Sequence, residues 1–229
     1  MEDAYKNSAR YYELLLSPAL RQTRGDIVTY INHMSHERII DMGCGTGVQL
    51  ADLYSPSREL HGIDNSMSML EQARRNLPDD VKLHYLDARQ ESFSDDYFDC
   101  SILSLTLHDK HPTDIQLIFL NAAKITKSTG SIVIADYCDF DLSPMSFLVG
   151  KLFIPLLEKL AGDEHYQNYK RWMQAGGLQS FLTHDDLRVD IISTRLFQTL
   201  LCCAVTSKQL ANRNRSYFEL LNKTFSKKL

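Results

Sequence analysis

The stretch Arg38-Ile39-Ile40-Asp41-Met42-Gly43-Cys44-Gly45-Thr46-Gly47 decides the fold. A short apolar run closes on an acid and then enters three glycines at alternate positions. Such a run reads as a buried strand. Glycine lets the chain turn sharply and lets a ligand approach bare backbone. A helix begins behind the loop at Val48–Leu53, and its first turn leaves N–H groups without intrahelical partners. Strand, glycine loop and helix in this order put a ligand site at the carboxyl edge of a sheet.

Spacing narrows the ligand. The dinucleotide fingerprint is G-x-G-x-x-G, whereas the third glycine here comes one residue early. No Lys-Ser or Lys-Thr follows as a phosphate-cradling P-loop requires. Further on, Leu60–Ile63 reads as a second strand ending in Asp64, 23 residues after Asp41. A carboxylate at that point can accept both hydroxyls of a ribose.

The same alternation continues along the chain. Met67–Asn76 has a helical pattern with Ser66 as N-cap and Pro78 as its stop. Val81–Leu86 and Phe98–Leu103 read as strands. Ile115–Ile125 reads as a helix with Thr113 as N-cap, and Ser131–Ala135 as a strand entered through Gly130. Strands separated by helix-sized segments form β-α-β units, hence a mostly parallel sheet with helices on both faces. After Asp136 the pattern breaks into a helical insertion over residues 141–183, rich in Leu, Phe and Ile. Val189–Leu196 and Leu200–Thr206 then form a hairpin that completes a seven-stranded α/β sheet with its last strand antiparallel. Residues 1–36 form helices that cap this domain, the second with Ser17 as N-cap, Pro18 in its first turn, and Leu20, Arg24, Ile27 and Ile31 along one face. Tyr11, Tyr12 and Arg24 are candidates to close the ligand cleft from that side, beside the alternative that the two tyrosines are core residues. The expected organisation is one domain over residues 1–229.

Asp41-Met42-Gly43-Cys44-Gly45-Thr46-Gly47, followed by Gly62-Ile63-Asp64-Asn65-Ser66 and Met69-Leu70, resembles the class I S-adenosylmethionine-dependent methyltransferases. The likeness is to their small-molecule branch, which includes the ubiquinone and menaquinone biosynthesis enzymes. Leu86-Asp87-Ala88 resembles that family's third motif, and Phe98-Asp99 through Ser104-Leu105 its fourth. Ile125-Thr126-Lys127-Ser128-Thr129-Gly130 is similar to its Leu-Lys-Pro-Gly-Gly turn before strand five, with Ser128 and Thr129 departing from the pattern.

The resemblance covers roughly Arg38 to Asp136 and implies a Rossmann-like fold, S-adenosylmethionine as cofactor and S-adenosylhomocysteine as product. It implies that Gly43, Gly45 and Gly47, with Cys44 and Thr46 in the same loop, border the methionine part. Asp41 would bind the amino group, directly or through the loop. Asp64 would hold the ribose, Asn65 would lie beside the adenosine, and Asp87 and Ala88 would flank the adenine. Ser104 would lie near the transferred methyl group.

Methyl transfer from a sulfonium is an in-line displacement, so the protein mainly aligns the reactants and excludes water. A general base is needed only for an acceptor that arrives protonated. His108 follows the fourth strand at the edge where the methyl should sit, and is the candidate base. Asp136, closing the fifth strand, is a second cleft-edge acid. Asp109 and His111 beside His108 lack a third ligand, so no metal is expected. In the insertion, His165, Tyr169 and Trp172 recur at helical spacing with Tyr166 adjacent. They are candidate contacts for a flat or lipophilic acceptor, beside the alternative that they pack the insertion onto the core or a second subunit. A homodimer through the apolar insertion is an expected partner arrangement.

Composition bounds the rest. The 229 residues are 44% hydrophobic and 24% charged, with a formal net charge of −4. That balance is globular and argues against a protein that mainly wraps nucleic acid. Base methylation is further disfavoured because Ser104-Leu105-Thr106-Leu107 replaces the Asn/Asp-Pro-Pro-aromatic motif. A basic tail with Lys208, Arg213, Arg215, Lys223, Lys227 and Lys228 reads as solubilising. Five scattered cysteines, including the vicinal Cys202 and Cys203, form neither a disulfide framework nor a zinc pattern. The polar, acidic first residues differ from a signal peptide, and no apolar run reaches the length of a membrane span, so a cytoplasmic location is expected. A nicotinamide oxidoreductase and a cofactor-binding protein without catalysis are the rival readings.

Overall fold

The computed structural model describes residues 20–139, 143–182 and 188–206. A first helix, α1 (20–33), is followed by β1 (Arg38–Met42), α2 (Val48–Leu53), β2 (Glu59–Asp64), α3 (Met67–Asn76), β3 (Lys82–Tyr85), β4 (Phe98–Ser104), α4 (Pro112–Ile125) and β5 (Thr126–Tyr137). The insertion contains α5 (Pro144–Leu148), a π-helical turn (Val149–Phe153), α6 (Ile154–Ala161), α7 (Asp163–Gln174) and α8 (Gly177–Leu182), and the hairpin β6 (Arg188–Arg195) and β7 (Leu200–Thr206) ends it.

The sheet order is β3-β2-β1-β4-β5-β7-β6. Strands β1 to β5 pair in parallel, and β7 runs antiparallel to both neighbours. This is the expected Rossmann-like seven-stranded α/β arrangement. Strand order reverses between β1 and β4, which opens a crevice at their carboxyl ends.

The strand pleat sends alternate side chains to the two faces. Ile40, Met42, Ile132, Ile134 and Cys203 enter one apolar core with α4, α7 and α8. Ile39, Val133, Ala135 and Cys202 enter the other with α1, α2 and α3. The vicinal cysteines are thus packing residues on opposite faces, and all five cysteines are buried and unbridged. Bidentate bonds of 2.8 Å from Arg195 to Asp26 tie α1 to the hairpin.

Two local expectations need correction. Helix α4 starts earlier than expected: His111, not Thr113, is its N-cap, and Pro112 takes the first turn. Proline suits that position because its missing N–H would be unpaired anyway. The segment at Thr126–Gly130, expected as a turn, is extended and opens β5, with a register shift between Phe98 and Cys100. Gly130 permits it, since a Cβ there would lie 2.5 Å from the Asp99 carbonyl. Ser17, Pro18, Tyr11, Tyr12 and the basic tail lie outside the described residues. Arg24 binds Asp52 on α2 at 2.9 Å.

Candidate active site

The glycine loop is held in shape by backbone and one carboxylate. The Gly43 and Cys44 N–H groups donate to the Ile63 carbonyl at 2.8 and 3.0 Å, anchoring the loop to β2. Asp64 Oδ2 accepts from Gly45 N at 2.9 Å, and its Oδ1 accepts from Ser66 N at 2.8 Å. Gly43 has φ +92°, and a Cβ there would meet Thr106 Oγ1 at 2.9 Å, so the end of β1 and the loop after β4 touch only because it is glycine.

These elements open on a cavity of about 670 Å³, within the range of small-molecule sites. Gly43, Gly45, Asp64 and Asn65 line one part of it, Asp87 and Ala88 another. Asn121 of α4 pins the loop after β3 by donating to the Ala88 and Gln90 carbonyls at 2.9 and 2.7 Å. Arg89 pairs with Asp87 and reaches Asp114 at 3.1 Å, and its guanidinium holds the Asp87 carboxyl below the ordinary range.

Of the other loop residues, Cys44 is buried in the apolar core, and Gly47 packs against Leu77 and Ala73. The Thr46 carbonyl accepts from Asn76, and that of Ser104 from Thr106. None of these four lines the cavity. Asp41 lies beneath the loop, 2% exposed, and its Oδ1 has no hydrogen-bond partner among the described residues. Burial, reinforced by Asp64, pushes its carboxyl up to about 7.

The other end of the cavity is built around His108. Asp136, fully buried, accepts from His108 Nδ1 at 2.7 Å through Oδ1. Its Oδ2 accepts from the backbone N–H of Leu107 at 2.9 Å and of His108 at 3.3 Å. That arrangement fixes the tautomer: Nδ1 carries hydrogen and Nε2 faces the cavity. Burial pulls the imidazole pKa down, but the charge and hydrogen bond of Asp136 outweigh it and raise the pKa above the ordinary value. Leu105, which also lines the cavity, has φ +53°, a strained conformation for a leucine. The turn aims the chain after β4 toward the cleft.

The expected stripe on α7 divides. His165 lines the cavity, with Nδ1 3.3 Å from Asp109 Oδ2. Tyr166 is half-buried against the core, with Lys170 Nζ 5.6 Å from its ring centre. Tyr169 and Trp172 do not face the cleft, which corrects the expectation of acceptor contact. Tyr169 packs edge-on to Tyr137, and Trp172, 2% exposed, donates its Nε1–H to the Tyr137 carbonyl at 2.8 Å. A buried indole N–H needs such a partner, and this one fastens the insertion to β5.

Sequence reasoning missed Glu158 of α6, which lines the cavity opposite His108. The signal was present: Ile154, Leu157, Glu158 and Ala161 share one helical face. Among the described residues no group of three or more His, Cys, Asp or Glu is arranged to hold a metal.

The chain matches the family described as "Methyltransferase domain" over residues 33–192 and belongs to it. A demethylmenaquinone methyltransferase of Geobacillus sp. (strain WCH70) is 24% identical over 196 residues, covering 81% of this chain and 82% of its own length. That of Clavibacter sepedonicus is 28% identical over 180 residues, covering 69% and 71%. Among solved structures, an O-methyltransferase family protein from Burkholderia thailandensis superposes with a TM-score of 0.59 at 15% identity, covering 87% of this chain and 59% of that one, a likeness of fold. The chain spans only 45%, 19% and 51% of the length of three other curated relatives.

Proposed function

We propose that the chain transfers the methyl group of S-adenosylmethionine to a small organic acceptor, aromatic or lipophilic in character. The observation that carries this reading is that the glycine loop with Asp64 and His108, itself held by the buried Asp136, open on one cavity. Bound S-adenosylmethionine supplies a methyl group already activated on a sulfonium.

The residues present fit it. The buried, unpaired Asp41 Oδ1 beneath the loop suits a cationic amino group, reached directly or through the loop. Gly43, Gly45 and Gly47, with Cys44 and Thr46, shape the loop around the methionine part. Asp64 accepts from the ribose hydroxyls, with Asn65 beside the adenosine. Asp87 and Ala88 receive the adenine, and Ser104 sets the end of β4 beside the methyl group. His108 takes the acceptor's proton on Nε2 while Asp136 holds the imidazole. Pre-alignment in such a cleft is worth about 7–11 kcal/mol of barrier. His165, with Tyr166 behind it, borders the acceptor end.

A ligand that binds only the folded state raises its stability, by about 2.7 kcal/mol at 100 times Kd. S-adenosylmethionine and S-adenosylhomocysteine are therefore expected to raise Tm by several degrees, and NAD to leave it unchanged. Stabilisation by NAD alone would establish the oxidoreductase reading instead. Stabilisation without label transfer would leave a binding protein.

The outer face of the insertion supports pairing of two copies. Met145, Leu148, Leu152, Leu156 and Leu160 recur along α5, the π-helical turn and α6, from 47% to 67% exposed. Large exposed apolar patches of this kind mark interaction surfaces. Light scattering should give a dimer mass for the wild type and a monomer for the double variant Leu152→Asp, Leu156→Asp. No helix among the described residues is long and apolar enough to cross a membrane. The five unbridged cysteines support a reducing compartment, the cytoplasm.

A further inference from the structure

Glu158 is the single acid between Pro144 and Ala161, and it points inward, 1% exposed. Its Oε1 lies 3.5 Å from His108 Nε2 and makes no hydrogen bond to the described residues. Both side chains line the cavity. Asp136 already neutralises any charge on the imidazole, so Glu158 faces no net cation. Tyr169, a titratable neighbour, is neutral, and among the described residues no charged group offsets the effect of burial on Glu158. A buried carboxyl without a cation keeps its proton, and burial pushes this one up to about 8.

We infer that His108 and Glu158 clamp one acceptor atom from two sides, and that this atom is the oxygen of a hydroxyl compound: a phenol, an enol or an alcohol. The inference rests on the methyl-transfer reading above. An oxygen at about 2.8 Å from each group, an ordinary O–H···O distance, closes a triangle over the 3.5 Å gap. A hydroxyl has one hydrogen and two lone pairs. The hydrogen goes to Nε2, one lone pair accepts from the Glu158 O–H, and the second remains for the methyl group. A neutral amine has one lone pair, which Glu158 would occupy. A carbon acid has none to offer, and a thiol sulfur is a weak acceptor.

The atoms balance. The acceptor O–H bond breaks with its proton moving to Nε2, and the freed oxygen pair forms the bond to the methyl carbon. The pair of the broken carbon–sulfur bond stays on sulfur as a thioether. Positive charge thus leaves the sulfonium and appears on the imidazolium, beside Asp136.

The test uses the full chain, carbon-13-labelled methyl donor and a small-molecule metabolite extract, with the labelled methyl read by NMR. Its chemical shift identifies the atom to which it is bonded. Label on oxygen is expected, with Glu158→Leu lowering kcat/KM on that product about 10- to 100-fold, the worth of a hydrogen bond in a buried site. Glu158→Gln, whose amide still donates, should stay within several-fold of wild type. Label on nitrogen, sulfur or carbon overturns the inference and leaves methyl transfer standing. Absence of label on any product, with the Tm rise by S-adenosylmethionine intact, overturns the methyl-transfer reading and this inference with it. If Glu158→Gln is as impaired as Glu158→Leu while both keep that Tm rise, the neutral-donor role is wrong.

Discussion

Replacing Asp64 with alanine is expected to abolish the rise in Tm that S-adenosylmethionine gives the chain, and to weaken its binding by 10²-fold or more, on the order of the loss of two charge-assisted hydrogen bonds. The side chain does two jobs at once. Each oxygen accepts one backbone N–H, from Gly45 and from Ser66, so the carboxylate fixes the glycine loop to the start of α3. Carboxylate oxygens have lone pairs beyond those two bonds, and Asp64 lines the cavity. Alanine removes the ribose acceptors and releases the loop together. Asp64→Asn separates the effects: its carbonyl keeps one loop bond, while its NH2 group, a donor only, cannot accept from a hydroxyl. It should retain more of the ligand-free Tm than Asp64→Ala and still bind weakly. Calorimetric titration checks the affinity, and the ligand-free melt checks the fold. Normal binding by Asp64→Ala would make the ribose assignment wrong.

What was legible in the sequence was whatever is local. The Ser66 cap and its bond to Asp64 depend on neighbours two or three residues away, and the glycine loop and Asp64, bonded across 19 residues, stand where the motif spacing puts them. The pairing of His108 with Asp136 joins residues 28 apart through adjacent strands β4 and β5, so each was visible as a cleft-edge residue but their bond was not. Glu158 was visible only as an interruption of an apolar run, because its significance depends on which helix face turns inward. The same limit explains Tyr169 and Trp172. Helical spacing identifies a face, and it does not say whether that face covers a cavity or a strand. Here the stripe meets Tyr137 of β5, and only His165, one turn earlier, reaches the cleft. Thr126–Gly130 failed as a turn for a related reason: extension there depends on pairing with Phe98, a contact across 28 residues.

His108→Ala is expected to lower kcat by about 10² to 10⁴, the usual worth of a positioned general base, while leaving the Tm rise by S-adenosylmethionine intact. The two variants therefore split the site: Asp64 carries binding and His108 carries turnover. The pH profile of the wild type gives a second measurement. Proton removal needs neutral His108, whose pKa is raised above its ordinary 6.5 by Asp136 against the pull of burial. Activity should thus fall as pH drops through a value above 6.5. On the alkaline side, loss of the Glu158 proton near 8 removes the donor to the acceptor oxygen, so activity should fall again. The charges around the pair, Asp109, Lys110 and His165 from the neighbouring loop and α7, set where these limbs lie. Because His108 and Glu158 face each other, the two limbs belong to the pair as a whole. Asp136→Asn removes the charge that favours the imidazolium and should move the acid limb to lower pH, while the fall in rate reports the lost orientation. An acid limb that stays in place in Asp136→Asn would mean that His108 is not the group being titrated.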